Sequence, residues 1–340
     1  MTAGRGATRQ FAVMDPSQPG EARRAAQELA LRLGFDAEHA GRVALVVTEL
    51  GSNLLKHAGG GELLLQTLDE DGCCGVGVSA VDRGPGIANL AESLRDGAST
   101  AGTPGTGLGA VRRLSDRFDL YSLAAAGTAI VVQLWGKRKP TRPAGPRLDV
   151  GTVCVAKAGE DVAGDDWMVE RLGLRSIIAV ADGLGHGPLA GEAAWTAMRL
   201  VRRHTGDGPR SWVAAAHAGL KGTRGGALAV AEVDLGRSVV RFCGLGNISA
   251  VIVGDEGVRR LVSQNGTAGH SAGRIDEFSY PWPPGGLLVL HSDGLATHWD
   301  LERYPGLARR HPGLIAGVLY RDFTRGRDDV TVIVARESSE

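Results

Sequence analysis

The chain has no excess of charge of either sign: 38 lysines and arginines balance 38 aspartates and glutamates over 340 residues. A neutral chain offers no electrostatic footprint for nucleic acid or for an anionic membrane surface, so neither is expected as a partner. Long apolar runs are missing as well. No stretch approaches the roughly 18 uninterrupted apolar residues that a membrane helix requires, and residues 1–10 lack the apolar core of a secretion signal, so no membrane insertion is expected and a cytoplasmic location is. Cysteine is sparse: Cys73, Cys74, Cys154 and Cys243 show neither CxxC spacing nor a set of spaced histidines. That excludes a disulfide framework and a thiolate metal site, and predicts buried reduced thiols.

What is present describes a globular protein able to bury real cores, with 43% apolar and 22% charged residues. At roughly 100–200 residues per domain the length suggests two domains. The break falls at 136–148, where three prolines and clustered like charges interrupt two regions of regular apolar patterning and predict an exposed linker. Domains are therefore expected over 8–135 and 149–336.

In the first region the patterning predicts helices over 20–33 and 38–57, strands over 62–69 and 73–81, a helix over 106–116 and two strands over 117–135. Helices followed by an antiparallel meander make a two-layer α/β sandwich. On the second helix Val43, Val47, Leu50 and Leu54 form a buried stripe, while Glu49 and Asn53 lie one turn apart on a neighbouring face. A neutral carboxamide oxygen suits Mg²⁺, and a carboxylate beside it can orient or deprotonate a nucleophile near a phosphate. Next, the strand Val76–Val81 delivers Asp82-Arg-Gly-Pro-Gly86, where a carboxylate can accept a hydrogen bond from the exocyclic amine of adenine. Gly105-Thr-Gly107-Leu-Gly109 then opens a helix whose unpaired N–H groups suit a phosphate chain.

These segments resemble the GHKL ATPase superfamily, and within it the small anti-sigma-type serine kinases. Glu49-Leu-Gly-Ser-Asn53 is similar to that family's N box, Asp82-Arg-Gly-Pro-Gly86 to its adenine box and Gly105-Thr-Gly-Leu-Gly109 to its phosphate-lid box. Ala110-Val-Arg-Arg-Leu-Ser-Asp116 with Gly127-Thr128 resembles the RsbT kinases more than the sigma-binding RsbW kinases. The resemblance implies ATP and Mg²⁺ as cofactors, with Asn53 holding the metal and Glu49 activating a substrate hydroxyl. It implies that Asp82 contacts adenine and that Gly86, Gly105, Gly107 and Gly109 shape the pocket. No phosphoacceptor-histidine helix precedes the domain, so a sensor histidine kinase is not expected.

Beyond the linker, strands are expected near 150–158, 174–181, 226–233, 238–246, 248–253, 286–292 and 329–335. Helical stretches near 188–204, 211–221 and 301–321 accompany them and suggest an α/β/β/α sandwich. Asp165-Asp166, Asp182, Asp293 and Asp328-Asp329 sit where those strands end. Clustered negative charge beside buried strands is repulsive unless cations bind there. Two Mn²⁺ or Mg²⁺ ions about 3.5–4 Å apart can activate a water and neutralise phosphate oxygens.

This half resembles the SpoIIE branch of the metal-dependent (PPM-type) protein phosphatases. Ala181-Asp182-Gly-Leu-Gly-His186-Gly187 carries the resemblance, with Gly244-Leu-Gly-Asn247, Asn265-Gly-Thr-Ala-Gly269, Ser292-Asp293-Gly-Leu and Asp328-Asp-Val-Thr; their order and size are similar to RsbX. It implies metal ligation by Asp165, Asp182, the Gly183 carbonyl, Asp293 and Asp328, with Asp182 at the centre of the chemistry. Asp166 and Asp329 adjoin those ligands, and His186 lies at the rim. No arginine matches the phosphate-binding group of larger relatives. The whole implies a fused serine/threonine kinase and phosphatase of the partner-switching type. Its expected partners are STAS-domain anti-sigma antagonists or stressosome proteins, with sigma-factor regulators beyond them. Two alternatives stand beside it: a phosphatase regulated by a non-catalytic ATP-binding domain, and a non-catalytic module that binds a sigma factor or STAS protein.

Overall fold

In the computed structural model the described residues are 8–94, 107–141, 145–203 and 207–338. Contacts divide the chain into two compact units, one formed by Thr8–Pro143 with Leu301–Arg321, the other mainly by Ala144–Asp300 with Asp322–Glu340.

The first unit begins with β1 (Arg9–Val13), α1 (Gln18–Arg32) and α2 (Ala37–Asn53). It continues through β2 (Gly61–Glu70), β3 (Cys73–Val81), the short α3 (Leu90–Ser93) and α4 (Leu108–Leu114), and ends in β4 (Arg117–Leu123) and β5 (Gly127–Trp135). The strands form one antiparallel sheet in the order β1-β2-β3-β5-β4. Helix α2 starts where Asp36 accepts the His39 backbone N–H at 2.9 Å, which satisfies one orphan donor of the first turn. The alternation of β-structure sends Leu63, Leu65, Val76, Val78, Ile130 and Val132 to the helices, where they pack with Ala26, Val43, Val47 and Leu50. Strand β1 was not foreseen: it is a five-residue edge strand paired only to β2. Cys74 also departs from expectation, being exposed while Cys73, Cys154 and Cys243 are buried.

The second unit runs β6 (Leu148–Val155), β7 (Asp165–Leu172), β8 (Arg175–Gly183), α5 (Pro188–Val201), α6 (Pro209–Gly219), β9 (Gly226–Asp234), β10 (Val239–Leu245), β11 (Ser249–Gly254) and β12 (Gly257–Arg260). Short strands β13 (Ser263–Gln264), β14 (Gly266–Thr267), β15 (Ser271–Ala272) and β16 (Phe278–Pro281) follow, then β17 (Leu287–His291) and, after helix α7 (Pro312–Phe323), β18 (Val330–Glu337). One sheet has the order β13-β10-β9-β8-β7 with β16 beside β10, and the other has β12-β11-β17-β18-β6. Strand β8 is apolar on consecutive residues because both of its faces are covered. Ile178 and Val180 meet Leu288, Leu290 and Ile333 of the other sheet. Ile177, Ala179 and Ala181 meet Ala194, Met198 and Val213 of α5 and α6. The α/β class expected for both halves is the one observed.

Leu301–Arg321, within the 149–336 span expected for the rear domain, groups by its contacts with the first unit. The reason lies in the second face of the front sheet, where Leu64, Val81, Ala129 and Val131 are also buried. Gly313 and Gly317, one turn apart on α7, bring the helix down onto that face, with Val131 and Val81 about 3.5 Å and 3.6 Å from where their β-carbons would stand. Polar contacts fix the register. The Tyr320 hydroxyl donates to Glu62 at 2.8 Å, the Arg321 guanidinium donates to the Asp82 carbonyl at 3.0 Å, and Asp119 accepts the His311 N–H at 2.8 Å. Replacing Gly317 by Leu should destabilise the protein by about 1–3 kcal/mol through overpacking, which outweighs the ~0.8 kcal/mol gained in helix propensity. Urea unfolding of the full chain checks this; an unchanged midpoint would place α7 elsewhere.

Candidate functional site

The front site is built on α2. Glu49 and Asn53 stand one turn apart on it, and directly after Asn53 the helix widens into a π-helical turn, Leu54–Ala58. Such a turn re-aims side chains within a helix and marks functional sites elsewhere; no sequence signal pointed to it. The loop after β3 comes to the end of that turn, because a β-carbon on Gly84 would lie 2.7 Å from the Ala58 α-carbon. Gly86 has φ +77, and its backbone lies against the Leu123 carbonyl, so only glycine fits there without strain.

Asp82 spends one oxygen on the loop itself: Oδ1 accepts the Gly84 N–H at 2.8 Å and the Thr128 N–H at 3.1 Å. Oδ2 has no protein partner among the described residues, and the buried Asn53 amide nitrogen has none either. Burial raises the carboxyl pKa of Glu49 against the pull of Lys56, and raises that of Asp82 against its two backbone donors. Gly107 caps α4 and Gly109 lies in its first turn, and α4 packs on α2. Thus Glu49, Asn53, Asp82, Gly86, Gly107 and Gly109 lie on three adjoining segments, while Gly105 falls outside the described residues. The groups left on this edge are of the kinds a nucleotide pocket uses: a carboxylate oxygen on Asp82 able to accept from an amine, and a carboxamide and a carboxylate one turn apart on α2.

The rear site is made by strand pairing. Asp165, the first residue of β7, lies directly opposite Asp182 near the end of β8. Ser292 and Thr331 exchange hydrogen bonds across the ends of β17 and β18, which sets Asp293 beside Asp328 and Asp329. Neither buried oxygen of Asp165 receives a well-formed hydrogen bond, nor does Oδ2 of Asp329. Burial and the charges of Asp165, Asp293 and Asp328 push Asp182 up to about 9, and burial with the charges of Asp329 and Asp293 pushes Asp165 up to about 7, the Ser292 and Thr331 hydroxyls opposing it. Burial and Asp328 raise Asp293, although Arg325 and an Asn247 hydrogen bond of 2.7 Å oppose the shift.

Orphaned carboxylate oxygens that repel one another are the donor set a hard divalent cation requires. Among the described residues no three acidic, histidine or cysteine side chains close into a finished cage, so the fit rests on these converging carboxylates. The sequence left Asp165 against Asp166, and Asp328 against Asp329, open by one residue. Asp166 turns Oδ1 to the Trp167 N–H at 2.9 Å, whereas neither oxygen of Asp165 receives a well-formed hydrogen bond. Asp328 is exposed, and Asp329 is buried with Oδ1 held by the Lys157 N–H at 2.9 Å, so Asp329 belongs to the same cluster.

Two side chains went unnoticed in the sequence. Glu160 Oε1 lies 2.6 Å from His186 Nδ1 and fixes the imidazole at the rim. His291 is buried, which lowers its pKa to about 4. Its Nδ1–H donates to the Ser292 carbonyl at 2.8 Å and its Nε2 accepts from Trp299 at 3.2 Å, so a neutral ring buttresses the Asp293 loop. Glu160 and His186 are 26 residues apart, and His291, although two residues before Asp293, sits in an apolar strand where no periodicity marks its role.

Comparison with known proteins defines the class first. Residues 13–134 match the family model described as histidine kinase-like ATPase domain, and residues 173–337 match stage II sporulation protein E (SpoIIE). The chain is 36% identical over 114 residues to serine/threonine-protein kinase RsbT of Bacillus subtilis, covering 34% of this chain and 86% of that one. It is 23% identical over 142 residues to phosphoserine phosphatase RsbX of the same organism, covering 41% of this chain and 70% of that protein. A solved structure described as "The bacterial stressosome: a modular system that has been adapted to control secondary messenger signaling" matches with a TM-score of 0.53 at 29% identity, over 56% of this chain and 100% of that one. Through its front half this chain belongs to the RsbT family, and it carries a SpoIIE-type phosphatase domain behind it.

The acidic cluster has a signature independent of turnover. With no cation bound, the folded state holds protons that an unfolded chain has released, on Asp165 from about pH 4 to about 7 and on Asp182 from about pH 4 to about 9. The unfolded state binds fewer protons across that window, so stability in chelator should fall as pH rises through it. Mn²⁺ should restore the melting temperature, most strongly at the alkaline end, and Asp182→Asn should flatten both responses. A melting temperature in chelator that stays level across the window, with no response to Mn²⁺, would contradict the cluster.

Proposed function

We propose that this protein phosphorylates and dephosphorylates serine or threonine side chains of STAS-domain partners, with ATP used by the front unit and a pair of Mn²⁺ or Mg²⁺ ions by the rear. The observation that carries the reading is the pairing of buried Asp165 with half-buried Asp182 beside Asp293, Asp328 and Asp329, with oxygens of Asp165 and Asp329 buried and short of protein donors. The names of the relatives support the substrate class: one is a serine/threonine-protein kinase, another a phosphoserine phosphatase, and one matched chain comes from a structure described under the bacterial stressosome.

In the rear unit Asp165, Asp182, the Gly183 carbonyl, Asp293 and Asp328 would hold the ions, with Asp329 adjoining. Bound there, the ions lower the pKa of water and neutralise phosphate oxygens. The water oxygen bonds to phosphorus as the bond to the serine oxygen breaks, and the leaving serine takes a proton; serine and inorganic phosphate are the products. His186, held by Glu160 at the rim, would be placed to give that proton. In the front unit Asn53 would hold Mg²⁺, Asp82 the adenine amine, and Gly86, Gly105, Gly107 and Gly109 the pocket wall. Glu49 takes the proton of the substrate hydroxyl while its oxygen bonds to the γ-phosphorus and the bond to ADP breaks, chemistry dominated by positioning and charge.

Opposed activities on one substrate would only consume ATP, so we read the two units as active one at a time under the control of nucleotide or partner, or as acting on different proteins. Incubation with γ-labelled ATP and a STAS protein should label the partner, and a Mn²⁺ chase after ATP depletion should remove the label. Glu49→Ala should reduce labelling by about 10²–10⁴-fold and leave the chase intact, while Asp182→Asn should do the reverse. Labelling that survives Glu49→Ala would favour a non-catalytic nucleotide domain, and no Mn²⁺-dependent hydrolysis of any phosphopeptide would favour a binding module.

A further inference from the structure

The turn Asn265–Gly269, singled out in the sequence, holds no part of the acidic cluster, and its role emerges from what it touches. Ala268 and Gly226 exchange backbone hydrogen bonds of 2.8 Å and 3.1 Å. His270 Nε2 lies 2.8 Å from the Arg224 carbonyl; a carbonyl only accepts, so the ring carries its proton on Nε2 and donates. Gly225, at φ +67, leaves no room for a side chain against the Ala268 carbonyl, 2.3 Å from its would-be β-carbon. On the other side Gly226 pairs with Gly183, and the Leu184 N–H donates to the Gly225 carbonyl at 2.9 Å. Arg224 is therefore fastened from both sides, to the 265–270 turn and to the Asp182–His186 loop.

Its guanidinium leans over that loop. Nη1 lies 2.9 Å from where a β-carbon on Gly185 would stand. The Gly185 carbonyl in turn lies 3.3 Å from the corresponding position on Gly164, which is 2.6 Å from Asp329 Oδ2. Arg224 is exposed, and no acidic side chain pairs with it among the described residues. Arginines elsewhere in the unit differ: Arg241 is paired with Glu232 and Glu277, Arg175 with Glu232, and Arg274 with Asp276, while Arg325, whose charge reaches Asp293, lies on the loop before Asp328. An unpaired guanidinium on an anchored backbone, at the lip of a carboxylate cluster, offers a fork of N–H donors to an anion that the cluster alone would repel.

We propose that Arg224 binds the phosphoryl oxygens of the phosphoserine substrate at the rim of the rear site, and that His270 positions it through the Arg224 carbonyl. This rests on the phosphatase reading above. It supplies from the loop before β9 an anion-binding group that no sequence motif disclosed. Gly185 is then the space that lets the guanidinium reach the rim, and Gly225 and Gly226 let the chain just after Arg224 pack against the 265–270 turn and the Asp182 backbone.

The test uses the full-length protein loaded with Mn²⁺, a phosphoserine peptide, and inorganic phosphate as probe. Arg224→Ala should raise KM for the peptide and the inhibition constant of phosphate about tenfold or more, the loss expected for a charged hydrogen-bond donor. Turnover at saturation should change less, and Mn²⁺ affinity by calorimetry should stay the same. Arg224→Lys should recover part of the binding. His270→Ala should shift KM the same way by a smaller factor, and His270→Gln, which keeps a donor, should recover it. A KM and a phosphate affinity within twofold of the parent in Arg224→Ala would overturn the assignment. If the parent protein hydrolyses nothing, the phosphatase reading fails, and calorimetry of phosphate on the Mn²⁺-loaded protein still decides. Binding lost in Arg224→Ala upholds the site, while binding that is unaltered, or absent from the parent, removes it.

Discussion

Burying like charges face to face is the constraint on which the rear unit depends. The β7–β8 ladder sets Asp165 against Asp182, and the β17–β18 ladder sets Asp293 near Asp329. Two carboxylates a few ångströms apart away from water repel strongly, so the pairing persists only because the sheets on both sides are fully packed. Apolar strands such as Ile177–Ala181 and Leu287–Leu290, closed on both faces, supply that rigidity. A cation turns the same arrangement from a liability into an attraction, and so the fold is most at ease when charge is supplied from outside.

The front unit solves the opposite problem. Its polar groups are few, lie on one helix edge and one loop, and are left without partners rather than set against each other. Asn53 ends the regular part of α2, and the π-helical turn behind it lets the chain meet the Asp82 loop at Ala58. Here the geometry comes from a single local widening of a helix; in the rear unit it comes from strand ends brought together over long sequence distances. Glu49 and Asp82 share with the acids of the rear unit a pKa raised by burial, although in the front unit no neighbouring acid contributes to the shift.

Much of this was legible in the residues. The stripe Val43, Val47, Leu50, Leu54 set the buried face of α2 and so fixed where Glu49 and Asn53 point. Apolar runs ending in Asp-Gly located β8 and β17 because strands buried on both faces need no alternation to be recognised. Edge strands were harder: β1 is five residues long, and β7, Asp-Asp-Trp-Met-Val-Glu-Arg-Leu, mixes charge with apolar positions since one side of it has no neighbour strand. The contacts Glu160–His186 and His270–Arg224 span 26 and 46 residues, and no local pattern encodes a pairing made only by the completed fold. Helix α7 was visible as a helix, but a helix buried on all sides does not announce in its sequence which core it completes.

That helix gives the chain an unusual itinerary. The polypeptide leaves the front unit after β5, builds nearly all of the rear one, and returns to cover a bare sheet face with Leu301–Arg321 before coming back to lay down β18. A single cut at the linker would therefore yield no complete piece: the amino-terminal fragment would expose Leu64, Val81 and Val131, and the carboxy-terminal one would carry α7 without its bed. Between Asp293 and Asp328 the backbone makes a round trip through the nucleotide-binding unit, so those two acids are tethered to it by covalent bonds on either side.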